Sequence, residues 1–270
     1  MIPVAMTGLA LIVALVTLLW LLSLRLRDAS IVDIFWGPGF VALNAAYALL
    51  TPDGAPARKL AATLLVSLWG LRLGVHLFLR NRRRSEDFRY RRWREQAGAP
   101  WWWQSYFKVF LLQGLLIWII AFPLLAAQCS PAPSGWTWID SLAVGVWGIG
   151  FLFESIGDTQ LSRFRSRPEN RGRLLDRGLW RYTRHPNYFG DALQWWGLFG
   201  LAVAVQATWT IFSPLLMTWL LLRVSGVAML ERTLAVDKPG YAHYIATTSA
   251  FFPRPPRRID AAGERADRER

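Results

Sequence analysis

Apolar segments long enough to cross a bilayer dominate this sequence. Seven of them can be traced along the chain: Ile2–Leu24, Ile31–Leu50, Leu60–Leu79, Tyr106–Ala127, Ile139–Gly157, Tyr188–Val205 and Trp209–Leu230. A helix needs about 17–25 apolar residues to span the hydrocarbon core. Backbone groups in lipid are satisfied only in helices or closed barrels, and runs of this length indicate helices. The sequence therefore predicts an all-α, polytopic membrane protein with seven transmembrane helices.

Positively charged residues are sorted unevenly between the two ends of these predicted helices. The links Arg25–Ser30, Arg80–Lys108, Asp158–His185 and Glu231–Arg270 hold 27 of the 31 Lys and Arg residues. With seven spans, all four links lie on the same side of the membrane. Because Lys and Arg concentrate in cytoplasmic links, the sequence predicts an N-terminus outside and a C-terminus in the cytoplasm.

The composition agrees with this separation of charge and apolar residues. A net charge of +13 would suit a nucleic-acid-binding protein, but 53% hydrophobic residues and 16 Trp would not, and we expect no nucleic-acid partner. With a single cysteine, Cys129, an internal disulfide and a cysteine-based metal cluster are excluded, and no metal site is predicted. We expect one transmembrane catalytic domain over residues 1–253 and a charged, flexible cytoplasmic tail over residues 254–270.

Seven ionisable residues fall within or beside the predicted spans. They are Asp33, Arg72, His76, Glu154, Asp191, Arg223 and Glu231. Charge inside a membrane is unfavourable and usually functional, and all seven lie toward the predicted cytoplasmic ends. The pattern predicts a polar cavity that opens to the cytosol. The structural alternative is that single ion pairs hold helices together and that residues at helix ends reach the interface.

The predicted link Arg80–Lys108 combines cations with aromatic residues. Its arginine runs Arg82–Arg84 and Arg91–Arg92 stand near Trp101–Trp103. Cations that bind anionic lipid and indoles that lie at the interface are typical of a membrane-surface segment, so membrane lipid is an expected partner. The more mixed stretch Glu86–Tyr90 could instead cover a pocket.

The stretch that is most informative about chemistry runs from Gly178 to Asp191. Pro186 suits the first turn of a helix. Asn187, Tyr188 and Asp191 then lie in the opening turns, where free N–H groups and the helix dipole favour anions. Basic residues precede this turn: Arg163, Arg165, Arg167, Arg171, Arg173, Arg184 and His185. Guanidinium groups bind phosphates through paired hydrogen bonds, so the cluster predicts a dinucleotide site, with Asn and Asp side chains for ribose hydroxyls or a carboxamide.

These residues also carry a family resemblance. The run Arg184-His185-Pro186-Asn187-Tyr188-Phe189-Gly190-Asp191 resembles the Arg-His-Pro-x-Tyr-x-Gly signature of membrane sterol reductases, steroid 5-alpha-reductases and isoprenylcysteine carboxyl methyltransferases. Leu230-Glu231-Arg232, Tyr241, Tyr244 and Phe252-Pro253 resemble the C-terminal ending of those proteins. The Asn187 and Asp191 pattern, with Asp158 and Arg165 upstream, is most similar to the reductase branch. The family-like half covers about residues 140–253, and the whole chain resembles a bacterial group of membrane proteins related to steroid 5-alpha-reductases.

The resemblance implies an enzyme of a bacterial inner membrane that binds NADPH in a cavity facing the cytoplasm. It implies hydride transfer to an activated carbon–carbon double bond (an enone) of a lipid-soluble, steroid-like, isoprenoid or acyl substrate. By position, the resemblance implies cofactor contacts from Asp158, Arg165, Asn187, Tyr188, Asp191 and Arg223, with Glu231, Tyr241 and Tyr244 from the C-terminal ending. Residue chemistry adds Arg163, Arg171, Arg184 and His185 to this predicted NADPH site.

The proton donor has to be predicted from residue chemistry, because the Gln-Glu pair of steroid reductases and its partner Tyr are not recognisable here. Hydride addition to an enone needs an acid or a hydrogen-bond donor at the oxygen as the enolate forms. We predict Tyr90 or His76 for this role, oriented by Asp33 or Glu86. The structural alternatives are that Tyr90 anchors the chain at the interface and that His76 packs between helices.

Two other functions remain open from the sequence. A lipid or prenyl-cysteine-type methyltransferase that uses S-adenosylmethionine shares the Arg-His-Pro-x-Tyr-x-Gly and Glu…Tyr elements but needs fewer phosphate-binding cations. A non-enzymatic lipid-binding membrane protein needs no nucleotide site. The arginines between Arg163 and Arg184 therefore favour NADPH over both alternatives.

Overall fold

The computed structural model describes residues 1–82, 85–224 and 240–257, and within these ranges all regular secondary structure is helical. The α-helices, numbered along the described chain, are α1 (Ile2–Leu26), α2 (Ile31–Leu50), α3 (Pro56–Asn81), α4 (Phe88–Ala97), α5 (Trp101–Ser105), α6 (Leu112–Ile120), α7 (Phe122–Cys129), α8 (Trp138–Arg165), α9 (Pro186–Ala204), α10 (Phe212–Trp219) and α11 (Tyr241–Thr247). The π-helical segment Tyr106–Leu111 joins α5 to α6, and a second, Leu220–Val224, extends α10. Short 3₁₀ turns lie at Pro168–Asn170, Gly178–Arg181 and Thr208–Ile211.

Among the described residues, five helical segments are long and apolar enough to cross a membrane. They are Ile2–Leu26, Ile31–Leu50, Pro56–Asn81, Trp101–Ile120 and Trp138–Arg165. The predicted all-α, polytopic membrane fold is therefore confirmed. The sixth predicted span corresponds to α9, and the seventh to the shorter apolar stretch Thr208–Val224, while its predicted end at Leu230 lies outside the described residues. The total of seven spans and the orientation stay predictions.

The chain divides into two compact units. The first unit contains Met1–Val144 and Gly197–Ser213. The second unit contains Gly145–Trp196 and Pro214–Arg270, with residues 225–239 and 258–270 outside the described part. A single catalytic domain over residues 1–253 stays a prediction.

The first unit is organised around α2 and α3, whose backbones touch at glycines. A Cβ atom added to Gly37 would lie 2.3 Å from the carbonyl oxygen of Gly70, and one added to Gly70 would lie 2.6 Å from the oxygen of Gly37. Helices in lipid gain stability from such close packing of small residues, because apolar burial does not drive them together. Phe40 and Trp69 pack beside this crossing, with ring centroids 5.6 Å apart.

A buried ion pair links the start of α3 to the start of α8 in the first unit. Arg58 Nε lies 2.8 Å from Asp140 Oδ1, and Arg58 Nη2 lies 3.0 Å from Asp140 Oδ2. Arg58 also donates to the carbonyl groups of Pro133 and Gly135, and Thr137 donates to Asp140 through both its N–H and its hydroxyl. This cation, one of the few that the sequence places on the less basic side, therefore has a structural role.

The second unit contains most of α8 and the first half of α9, and these two helices also meet at glycines. A Cβ atom added to Gly190 would lie 2.4 Å from the backbone nitrogen of Glu154 and 2.5 Å from the carbonyl oxygen of Gly150. Further along α8, a Cβ atom on Gly157 would lie 3.2 Å from the backbone nitrogen of Asn187. The start of α9 is therefore fixed directly against the later turns of α8.

Candidate active site

Two acidic residues stabilise helix α4: Asp87 caps it, and Glu86 joins it to the link between α1 and α2. Asp87 caps the helix, since its Oδ1 accepts hydrogen bonds from the Arg89 N–H at 3.0 Å and from Arg89 Nε at 2.9 Å. Burial acts to raise the pKa of Asp87, but the hydrogen bonds from Arg89 outweigh it and the pKa is lowered. Glu86 Oε1 accepts from the Ala29 N–H at 2.9 Å and from Arg94 Nη2 at 2.6 Å. Glu86 therefore helps to dock α4.

Tyr90, on α4, belongs to a polar group that we call the tyrosine cluster: Tyr90, Asp33, Arg89 and Gln113. The Tyr90 hydroxyl donates to Asp33 Oδ1 at 2.7 Å and accepts from Gln113 Nε2 at 3.2 Å. Arg89 Nη2 donates to Asp33 Oδ2 at 2.9 Å. Burial of Tyr90, followed by the negative charge of Asp33, raises the pKa of this phenol. The hydroxyl therefore stays protonated at neutral pH and serves as a hydrogen-bond donor.

The tyrosine cluster contains two of the four predicted catalytic residues. Tyr90 and Asp33 are in direct contact, whereas Glu86 is bound to Ala29 and Arg94. His76 lies half-buried on α3 and is not among the described partners of the Tyr90 hydroxyl. A proton-donor role for any of these residues stays a prediction.

Gln113 is the member of the tyrosine cluster that sequence reasoning misses. It contacts both the Tyr90 hydroxyl and, at 3.5 Å, Asp33 Oδ1. The available signal was a lone amide in the apolar run Leu111-Leu112-Gln113-Gly114-Leu115. A polar side chain at such a position needs a partner inside the protein.

In the second unit, the Arg-His-Pro motif is held by the residues that follow α11. The Arg184 N–H donates to the Ser249 carbonyl at 2.9 Å, and the Thr183 hydroxyl donates to the Phe251 carbonyl at 2.9 Å. The buried Arg184 guanidinium donates to the carbonyl groups of Ile245, at 3.0 Å, and Thr248. Because the last carbonyls of a helix lack partners within it, Arg184 caps α11, in addition to any role in the predicted phosphate site.

The tyrosines of the C-terminal ending are buried in the second unit. Tyr244 donates through its hydroxyl to the Trp180 carbonyl, and Trp180 Nε1 donates to the Gly157 carbonyl at 3.2 Å. Burial raises the pKa of Tyr244, so this hydroxyl remains a donor. Tyr241 is also buried. The contacts of Tyr244 stabilise the loop that leads into the motif, and the predicted cofactor contacts of both tyrosines stay predictions.

Helix α9 begins at Pro186, as predicted, and its first turns form an amide–carboxylate cluster with α8. Asn187 Nδ2 donates to Asp158 Oδ1 at 3.2 Å. Gln194 Nε2 donates to Glu154 Oε2 at 2.6 Å. Glu154 and Asp158 lie four residues apart on α8, and Asn187 and Gln194 seven apart on α9, so each pair shares one helix face. The structure brings the predicted residues Asn187 and Asp158 together and adds Gln194, which sequence reasoning misses.

The amide–carboxylate cluster presents unused acceptors. Asn187 Oδ1 and Gln194 Oε1 are buried and have no hydrogen-bond partner among the described residues. Each amide nitrogen faces a carboxylate, which accepts hydrogen bonds when ionised and cannot donate them, so the oxygen is the atom left over. An unsatisfied buried acceptor is unfavourable by about 1–3 kcal/mol. A ligand that donates a hydrogen bond at this position would remove that penalty.

Three further predicted cofactor residues lie at the start of α9. The His185 and Tyr188 rings stack with centroids 5.5 Å apart and planes 10° from parallel. His185 is buried, and Asp191 is buried one turn after Asn187. The opening turn of α9 therefore gathers aromatic, acidic and amide side chains, as the sequence predicts.

The predicted phosphate-binding arginines lie on different faces of α8 and its following loop. Arg165 lies seven residues after Asp158 and shares its helix face. Arg163 lies two residues before Arg165, which is about 200° around the helix at 3.6 residues per turn. Three more predicted cofactor residues lie elsewhere. Arg171 and Arg223 are exposed, and Glu231 lies outside the described residues.

Arg163 lines a cavity of about 300 Å³ at the end of α8. Arg167 and Arg177 line the same cavity, and Phe164 and Leu175 form its apolar part. Arg177 lies over Phe164, with its guanidinium carbon 5.9 Å from the ring centroid. Arg177 is not part of the arginine cluster that the sequence indicates, because it follows a turn that brings it back to α8.

Known relatives match almost the whole chain. A family model described as "Protein of unknown function (DUF1295)" matches residues 19–248. A protein of Schizosaccharomyces pombe described as "Uncharacterized protein C594.04c" is 28% identical over 279 residues, which cover 92% of this chain and 79% of that protein. No solved structure matches the chain. The family match includes both the tyrosine cluster and the amide–carboxylate cluster.

Proposed function

We propose that this chain, which belongs to the DUF1295 family, is an NADPH-dependent membrane reductase. It transfers a hydride to an activated carbon–carbon double bond of a lipid-soluble substrate, as the resemblance to steroid 5-alpha-reductases and sterol reductases implies. In this proposal the protein lies in a bacterial inner membrane with its active site facing the cytoplasm. Its partners are the substrate and membrane lipid, and nucleic acid is not among them.

The observation that carries the proposal is the amide–carboxylate cluster between α8 and α9. Glu154, Asp158 and Gln194 are 3%, 8% and 0% exposed, and the oxygens of Asn187 and Gln194 accept no hydrogen bond from the described residues. The two unused amide oxygens, which lie beside two buried carboxylates, form a site that requires donors. Buried charged groups of this kind inside a membrane protein are unfavourable unless they serve a ligand or a partner.

A dinucleotide supplies donors that suit these acceptors. Ribose hydroxyls and the carboxamide NH₂ of nicotinamide donate hydrogen bonds to carboxylate and amide oxygens. The phosphates, which are acceptors, would lie further along the same face of α8, where Arg165 follows Asp158 by two helical turns. Guanidinium groups pair with phosphate oxygens through two parallel hydrogen bonds. A helix face that presents hydrogen-bond acceptors first and a cation further along therefore suits a nucleotide, with its hydroxyl and amide donors at the acceptors and its phosphates at the cation.

The methyl donor S-adenosylmethionine fits this arrangement less well. Its ribose hydroxyls could use the same carboxylates, but it has no phosphate group for Arg165, which follows Asp158 on the same face of α8. NADPH would use both the acceptors and this cation. We therefore favour the reductase over the methyltransferase and over a lipid-binding protein without a nucleotide site.

The proposed reaction consumes one NADPH and one proton for each double bond reduced. NADPH held at Asn187 and Asp158 would supply the hydride for the β-carbon of the enone and would leave as NADP⁺. A hydrogen-bond donor at the enone oxygen stabilises the developing charge, and protonation of the α-carbon completes the reduction. From the sequence-based prediction we keep Tyr90 as this donor: burial keeps the phenol protonated, and its one hydrogen, which Asp33 accepts in the structure, would have to turn from Asp33 to the enone oxygen.

The Asn187→Ala variant is expected to bind NADPH at least about tenfold more weakly than the unaltered protein. Loss of the side chain removes one acceptor for the cofactor and leaves Asp158 without its amide donor, and each lost hydrogen bond to a charged group is worth about 1.5–3 kcal/mol. Titration calorimetry of the detergent-solubilised protein with NADPH measures the change in Kd.

The matched control is Ser162→Ala, an exposed position on α8, which should leave the NADPH Kd unchanged. Equal NADPH affinity of the Asn187→Ala and Ser162→Ala proteins would contradict the proposed site. Binding of S-adenosylmethionine in place of NADPH, with the same dependence on Asn187, would assign the site to a methyltransferase.

A further inference from the structure

The cavity at the end of α8 is a second candidate site in the second unit. It has a volume of about 300 Å³, and Arg163, Arg167 and Arg177 are among the residues that line it, beside the apolar Phe164 and Leu175. Its other polar lining residues already have partners: Gln160 Oε1 accepts from the Leu179 N–H, and the Asn170 amide donates to the Phe164 carbonyl. The guanidinium groups are therefore the groups left to bind a ligand.

The positive charge of this cavity is not neutralised by the part of the chain that the structure describes. Arg163, Arg167 and Arg177 form no ion pair with any described residue, and the nearest acids in sequence, Glu169 and Asp176, are exposed. Three like charges around one cavity repel each other, so an anion bound among them would be favoured. Guanidinium forks match the oxygens of phosphate in particular, because they form bidentate hydrogen bonds.

The cavity is built on a packed apolar base. Phe164, Leu175 and Trp180 form one buried cluster with Leu161 beside it, and Arg177 lies over the Phe164 ring. A cation held against an aromatic face loses part of its freedom, so Arg177 is positioned before any ligand binds. The base also gives an apolar surface to the organic part of a phosphate ester.

The cavity lies on a different side of α8 from the amide–carboxylate cluster. Gln160, Arg163 and Phe164 are spaced by three and four residues, so they share one helix face. Asp158 and Arg165 share another, which is rotated by about 100–160° from the first. Trp180, a member of the apolar base of the cavity, donates a hydrogen bond to the Gly157 carbonyl. One ligand bound at Asn187 along the Asp158 face is therefore directed away from this cavity.

We propose that Arg163, Arg167 and Arg177 form a binding site for a phosphate group, separate from the cofactor site at Asn187. In this proposal Arg165 serves the cofactor and Arg163 serves the second site. The phosphate belongs either to a free anion or to the headgroup of an anionic lipid, both of which present the same oxygens to the guanidinium groups. The site does not depend on the identity of the cofactor.

Binding of inorganic phosphate and of phosphatidic acid to the full-length chain tests this proposal. Equilibrium dialysis of the detergent-solubilised protein measures radiolabelled phosphate, and native mass spectrometry measures phosphatidic acid against an excess of phosphatidylcholine. We expect saturable binding of at least one probe, which Arg167→Ala and Arg177→Ala each weaken at least tenfold. Arg181→Ala removes an exposed arginine of the same loop that does not line the cavity, and it should have no effect.

The outcomes separate the two sources and the two sites. Binding of phosphate alone identifies a free anion, and binding of phosphatidic acid alone identifies a lipid headgroup. The proposal is overturned if neither probe depends on Arg167 and Arg177 more than on Arg181. It is also overturned if phosphate competes with NADPH and the Arg177→Ala variant loses NADPH as Asn187→Ala does. Should the unaltered protein bind no NADPH, the proposed function fails, while the phosphate measurements still decide this site.

Discussion

Replacing Gly190 with valine is expected to disrupt the packing of α8 against α9 and to destabilise the second unit by about 3 kcal/mol or more. A Cβ atom at this position would lie 2.4 Å from the Glu154 backbone nitrogen and 2.5 Å from the Gly150 carbonyl oxygen. Both obstacles are backbone atoms, so no change of side-chain rotamer relieves the overlap. Separation of the helices would also pull Asn187 away from Asp158, and NADPH binding should be lost with stability.

Thermal unfolding of the detergent-solubilised protein, followed by size-exclusion chromatography, measures this effect. The control is Gly148→Val on α8, the helix against which Gly190 packs, because a Cβ atom at Gly148 meets nothing within 4 Å. Gly148→Val introduces the same β-branched residue into α8 and should unfold within a few degrees of the unaltered protein. If the Gly190 and Gly148 variants have the same unfolding midpoint, the close contact of α8 and α9 described above is wrong.

The Asp140→Asn variant is expected to be less stable by about 3–5 kcal/mol, because it leaves the Arg58 charge buried without a counter-ion. The two side chains are 1% and 0% exposed, so water cannot replace the lost carboxylate charge. The variant also loses the bidentate hydrogen bonding, since Arg58 donates to both oxygens of the Asp140 carboxylate. Chemical or thermal unfolding of the purified protein measures the change in stability.

A double variant distinguishes a buried charge from a general loss of packing. Arg58→Met with Asp140→Leu removes both charges, and we expect it to be more stable than Asp140→Asn or Arg58→Met alone. Asp53→Asn, at an exposed position before α3, should change stability by less than about 0.5 kcal/mol. A double variant that is no more stable than Asp140→Asn or Arg58→Met would contradict a buried unpaired charge as the cause of the loss.

The helices of this fold could be predicted from the sequence because apolar length and hydrogen bonding act within one segment. Which faces meet could not be predicted, because those contacts join residues far apart in the chain. Gly37-Pro38-Gly39 illustrates the difference. In the sequence it weakens the second predicted span, whereas in the structure Gly37 provides the close contact with Gly70 that joins α2 to α3.

The candidate site was predictable to the same extent. The opening turn of α9 could be located from Pro186, and the family resemblance named both Asn187 and Asp158 as cofactor contacts. Side-chain partners across helices could be predicted only in part: Asp33 was one of two acids predicted for Tyr90, which lies 57 residues away, whereas Gln113 was missed. The residue type of a cation also does not predict which group it binds. Arg184 has the chemistry of a phosphate ligand, yet its guanidinium donates to the carbonyl groups at the end of α11.

Transfer of isotope from cofactor to lipid tests the proposed reductase activity most directly. The purified protein would be incubated with a total lipid extract, NADPH carrying deuterium at C4, and S-adenosylmethionine carrying a deuterated methyl group, and the lipids analysed by mass spectrometry. We expect a lipid that has gained one deuterium from NADPH and one proton from solvent, formed about 100-fold more slowly by Tyr90→Phe. A lipid that gains the labelled methyl group and no deuterium from NADPH would contradict the reductase and identify a methyltransferase.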